Sequence, residues 1–78
     1  MKFDFSSEAM KAIGNLDTNT AGRIIKGIIG LPEKGDIKRL QGDKEFFRLR
    51  IGSWRILYKH KKDEICIENI APRGKVYK

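Results

Sequence analysis

Three arginines, Arg48, Arg50 and Arg55, lie two and five positions apart around the dipeptide Gly52-Ser53. A guanidinium stays charged at any physiological pH and offers a planar fork of donors, so clustered arginines suit the holding of phosphate or carboxylate oxygens. The residues between them alternate with a period of two. Arg48 and Arg50 share one strand face with Phe46, and Phe47, Leu49 and Ile51 share the other. Gly52-Ser53 signals a two-residue hairpin with glycine first, as a type II′ turn requires. The returning strand sets Trp54, Ile56 and Tyr58 against Arg55, Leu57 and Lys59. So tight a turn makes Arg48, Arg50 and Arg55 cross-strand neighbours, on an open, solvated face that expects anions. Other reactive groups are scarce. His60 falls at a strand end away from Arg55, Cys66 reads as a packed strand thiol, and no His/Cys/Asp/Glu grouping has metal-ligand spacing.

The elements that must carry this face follow from the rest of the pattern. Lys2 to Phe5 alternates as a short strand, and Ser6 or Ser7 can cap a helix carrying Ala9, Ala12, Ile13 and Leu16. Asp17 or Thr18 can cap a second helix with an apolar stripe of Ala21, Ile24, Ile25, Ile28 and Ile29. Gly22, Gly27 and Gly30 each weaken that helix by about 1 kcal/mol relative to alanine, so it must gain from packing, with close backbone approach at the glycines. Leu31 to Asp36 is turn chemistry, and Ile37 to Gly42 reads as loop or a short helical turn. Lys61-Lys62-Asp63 makes a turn into a last strand over 64–70, with Ile65 and Ile67 opposed to Cys66 and Glu68. The expected fold is α+β: an antiparallel four-stranded sheet, in the order β-α-α-β-β-β, with an N-terminal helical hairpin packed on the face of Phe47 and Ile65.

Seventy-eight residues make one small domain, residues 1–78, and rule out a two-domain enzyme or a repeat array. The chain carries 17 basic and 10 acidic residues, net +7. Residues 48–78 hold 9 basic and 3 acidic side chains, so most of the excess sits in under half of the chain. That concentration favours a polyanionic partner. The N-terminal segment has no apolar signal core, and a lone cysteine makes no intrachain disulfide; both point to a reducing cytoplasm.

Three segments together resemble the RelE/ParE superfamily of bacterial and archaeal toxins. They are Lys38-Arg39-Leu40-Gln41-Gly42 followed by Phe47-Arg48-Leu49-Arg50, then Gly52-Ser53-Trp54-Arg55-Ile56-Leu57-Tyr58, and finally Ile70 through Tyr77 with its closing Arg73-Gly74-Lys75-Val76-Tyr77. The resemblance implies a type II toxin–antitoxin toxin that cleaves mRNA in the ribosomal A site, an mRNA interferase that inhibits translation. The 2′-hydroxyl would attack the adjacent phosphate, with no metal or other cofactor and no membrane involved. Arg55 matches the hairpin arginine that contacts the scissile phosphate, Arg73 the arginine of the terminal motif, and Tyr77 the C-terminal tyrosine at the reacting nucleotide. Arg48 stands where RNA-cleaving members often carry a lysine; an arginine there stabilises charge but is a poor base. Arg48, Arg55, Arg73 and Tyr77 are thus the expected catalytic set, with Lys38, Arg39, Arg50 and Lys75 as RNA-binding residues. The implied partners are a cognate acidic antitoxin, mRNA and the ribosome. The same resemblance admits a ParE-like DNA gyrase inhibitor or a catalytically inactive antitoxin-binding homologue, and size and charge alone admit a small basic RNA-binding protein.

Overall fold

The computed structural model describes residues 1–40, 42 and 45–72. Strand β1 (Lys2–Phe5) leads into helices α1 (Ser7–Gly14) and α2 (Thr18–Ile29), followed by β2 (Asp36–Arg39), β3 (Phe46–Ile51), β4 (Trp54–Lys61) and β5 (Glu64–Pro72). The sheet runs β1-β5-β4-β3-β2, with β1 parallel to β5 and every other pair antiparallel. The α+β class and helical hairpin are therefore as expected, but the sheet has five strands and is mixed, not four and antiparallel. Alternation is identical in both strand directions, so the direction of β1 had no local signal. Nor did β2, part of the segment read as loop or helical turn: it has four residues with Ile37 as its single buried-side apolar anchor. Its backbone groups find partners on β3, and that pairing makes it a strand.

Local chemistry decides the helix starts. Ser6 caps α1 by accepting from the Ala9 amide at 3.0 Å, and Asp17 caps α2 by accepting from the Thr20 amide at 3.1 Å. Ser6 does more than cap. Its hydroxyl also donates to the Glu68 carbonyl at 2.6 Å, where β5 is irregular. Leu57 faces Asn69 while Tyr58 faces Ile67, so Glu68 is an extra residue in the ladder. This bulge resets the alternation, and Ile70, three residues past Ile67, is buried with Ile65 and Ile67.

Ile24 and Ile28 of α2, Ala9 of α1 and Leu31 bury their side chains with Leu49, Ile56, Tyr58, Ile65, Ile67 and Ile70 of the sheet. The helical stripe is narrower than its sequence suggested, because Ile25 and Ile29 remain 38% and 64% exposed. Among the described residues, no helix is long and apolar enough to cross a membrane.

The glycines of α2 have different roles. A Cβ at Gly27 would run into Ile51 Cδ1, so glycine lets the helix settle on β3, whereas a Cβ at Gly22 meets nothing within 4 Å. Gly22→Ala is expected to stabilise the fold by about 0.5–1 kcal/mol through helix propensity and a less flexible unfolded chain. Gly27→Ala should gain less or lose stability, because Ile51 must give way. Urea unfolding of the two variants checks the difference.

Candidate anion-binding face

The hairpin closes as its residues predict. Gly52 takes φ +59°, and no non-glycine residue among those described has positive φ, which fits a type II′ turn. Ile51 then faces Trp54, and Arg50 faces Arg55 directly. Two rows cross the sheet on the side away from the helices. One runs Asp36, Arg50, Arg55, Ala71; the next runs Lys38, Arg48, Leu57, Asn69.

The face is less open than expected. Arg55 is only 9% exposed, and the Arg48 side chain only 13%, whereas that of Arg50 is 52% exposed. Asp36 is the reason for part of this. Its carboxylate lies 2.7 Å from Arg50 Nε and 3.7 Å from Arg48 Nη1, placing an anion of the chain's own between two of the cations. Sequence reasoning missed Asp36 because it assigned that residue to a turn. Its place beside the arginines comes from the pairing of β2, which no local pattern announces. Among the described residues, Arg55 Nη1 makes a marginal contact of 3.5 Å with the Trp54 carbonyl.

The structure separates other members of the expected set. Lys38 faces Arg48 on the arginine side, but Arg39 points to the helix side, its guanidinium carbon 5.1 Å from the centre of the Phe47 ring. Lys59 Nζ sits 4.8 Å above the Phe46 ring. Arg73, Lys75 and Tyr77 lie outside the described residues.

The parallel β1–β5 pairing also creates a grouping that the sequence did not suggest. Asp4 is brought beside Cys66, and with Glu64 the three potential ligand atoms lie within 4.8 Å of one another. Residues so far apart in the chain carry no spacing signal, so this neighbourhood was invisible before folding. Burial and then the Glu64 carboxylate push the Cys66 thiol up, which favours its protonated form.

Two further expectations concern charge. Asp36→Asn should cost under about 1 kcal/mol of stability, since half-exposed ion pairs are worth little. It should also strengthen polyanion binding, read by fluorescence anisotropy with a labelled RNA. Tyr58, stacked on Phe47 at 5.5 Å, has its phenol pushed up to about 12 by burial. The native state therefore holds this proton more tightly than the unfolded chain does. Its contribution is complete below pH 10 and is lost as the pH rises from about 10 to about 12. Stability measured across that window should fall, and Tyr58→Phe should flatten the decline.

A helical hairpin on one face of a mixed sheet, with Arg48, Arg50 and Arg55 on the other, defines a small α+β domain with an arginine-rich sheet face. Known proteins share this architecture. A candidate toxin named RelE1 from Methanocaldococcus jannaschii is 46% identical over 48 residues, 59% of this chain and 53% of that protein, so the match spans about half the length of the curated relative. The RelB-RelE antitoxin-toxin complex of Methanococcus jannaschii contains a chain of the same fold, with TM-score 0.79 at 24% identity over 95% of this chain and 94% of that one. The RelBE2 complex of Mycobacterium tuberculosis gives TM-score 0.78 at 19% identity, covering 92% and 96%. The intact RelBE complex of E. coli gives 0.78 at 16%, covering 95% and 98%. No model of a protein family matches the chain. In fold over nearly all its length, and in sequence over 48 residues, the chain is RelE-like, and the superfamily resemblance read from its motifs holds.

Proposed function

We propose that residues 1–78 form the toxin of a type II toxin–antitoxin pair, acting in the cytoplasm as a ribosome-dependent, metal-independent mRNA endoribonuclease. The observation that supports this most is the Arg50–Arg55 pair across the hairpin, with Arg48 held alongside by Asp36, on a RelE-like fold. Guanidinium groups on one sheet face suit the extra negative charge that builds on a phosphate when a neighbouring oxygen attacks it. The ribose 2′-oxygen would bond to phosphorus as its proton departs. The 5′-oxygen would then leave and take up a proton, giving a 2′,3′-cyclic phosphate and a 5′-hydroxyl. Arg55 and Arg48 hold the phosphorane charge in this reading, and Arg50 and Lys38 position the strand. Arg73 and Tyr77 complete the catalytic set, while Arg39 and Lys75 bind RNA.

Several of the solved structures that share the fold are antitoxin-toxin complexes, which supports an antitoxin as partner here as well. A chain of net charge +7 suits an acidic segment wrapping it. Mapping mRNA 5′ ends after controlled expression tests the reading. New ends inside codons, together with arrested growth, are expected. Intact transcripts with unimpaired translation would overturn it, and double-strand breaks with an SOS response but no mRNA cleavage would assign the chain to gyrase inhibition instead.

A further inference from the structure

A second cationic site lies at the other end of the sheet from the Gly52 hairpin. Arg39, Glu45, Phe47, Lys59, His60 and Lys61 line a cleft of about 310 Å³ where β3 begins and β4 ends. Its lining carries three basic side chains, an imidazole and one carboxylate. Arg39, His60 and Lys61 are exposed, and two of the cations are positioned by aromatic rings, Arg39 over Phe47 and Lys59 over Phe46. Asp36, which partly neutralises Arg48 and Arg50, is paired with the other end of β3, opposite Arg50.

We infer that this cleft is a phosphate subsite for an RNA strand, separate from the arginine row and continuous with it. Along β4 the side facing away from the helices reads Arg55, Leu57, Lys59, Lys61, so Lys59 and Lys61 extend the arginine side to the end of the sheet, where Arg39, Phe47 and His60 close the cleft from the helix side. Six residue steps of strand from Arg55 to Lys61, on the same side of the sheet, span about 20 Å, too far for one phosphate to touch both. A single strand contacting both would thus be held by two non-adjacent phosphates, which fixes its direction across the sheet. An acidic protein segment fits the cleft less well, because its lining offers one aromatic ring, already stacked on Tyr58 and covered by Arg39, and no pocket for apolar anchors. The inference rests on the RNA-directed reading above.

The test compares two charge-matched variants of the full chain. One is Arg39→Gln/Lys59→Gln/Lys61→Gln; the other, Lys11→Gln/Arg23→Gln/Lys26→Gln, removes three exposed cations from the helices. Binding of a fluorescein-labelled single-stranded RNA is followed by anisotropy from low to moderate salt, with circular dichroism to verify folding. The cleft variant should bind at least tenfold more weakly. Its plot of log affinity against log salt should be shallower by ~0.7 for each phosphate that the protein no longer neutralises. The helix variant should change less than twofold. Equal losses in both would reduce the effect to net charge and overturn the inference. So would unaltered RNA affinity in the cleft variant, including the case where only binding of an acidic peptide is lost. If 5′-end mapping still shows cleavage in cells while the cleft variant binds RNA normally, this inference fails and the nuclease reading stands.

Discussion

On the nuclease reading proposed above, replacing Arg55 by methionine is expected to lower mRNA cleavage by about 10²–10³-fold, the usual cost of removing one well-placed donor from a charge-stabilising site. Two features set Arg55 apart from the other cations. It is 9% exposed, so its charge works where water screens poorly, and among the described residues its fork has a 3.5 Å contact with the Trp54 carbonyl. Arg50 is half-exposed and already paired with Asp36, so Arg50→Ala should cost less. Methionine is the better probe than alanine because it keeps the stem that a nearly buried arginine packs into the sheet. Arg55→Lys, retaining charge but losing the fork, should fall between the two. Counting cleaved 5′ ends per transcript for each variant, beside thermal unfolding of the purified chains, separates chemistry from folding. Cleavage by Arg55→Met at the level of the unaltered chain, with matching expression, would remove Arg55 from the reaction.

The second large effect is on stability. Ile56 is wholly buried at the centre of the sheet, facing Leu49 on one side and Ile70 on the other. Ile56→Ala removes methyl groups from a position enclosed on both sides, where collapse is hindered, and should cost about 3 kcal/mol. A chain of this size has only ~4–12 kcal/mol of total stability, so the variant would lose a large part of it. The midpoint of thermal unfolding should fall by roughly 15 °C. Ile29→Ala, on a side chain 64% exposed, should change stability by under about 0.5 kcal/mol. Equal losses at the two positions would contradict the assignment of the core.

Both predictions trace to residues whose neighbours the sequence partly discloses. The alternation through 47–51 and 54–58 by itself puts Ile56 on the buried face and Arg55 on the other. How deeply Arg55 is recessed was not foreseen, because exposure depends on every strand beside it. The expected open arginine face is in fact a row in which one cation is accessible and two are sheltered. Arg39, grouped with Lys38 by adjacency, belongs to a different place because neighbouring strand residues point to opposite faces.

Sequence alone determined what depends on short-range chemistry: the caps at Ser6 and Asp17, the glycine-led turn at Gly52, the two-residue period, the pairing of Arg50 with Arg55, and the superfamily motifs. Each of these is settled by hydrogen bonds or sterics within a few residues. Only the tertiary structure decided that β1 runs parallel to β5 and that 36–39 is an edge strand bringing Asp36 to Arg48 and Arg50. It also decided that an extra residue at Glu68 returns Ile70 to the core. These outcomes turn on which distant backbone groups find one another. Backbone amides and carbonyls are the same whatever the side chain, so that choice is made by the packed whole and leaves little trace in the local pattern.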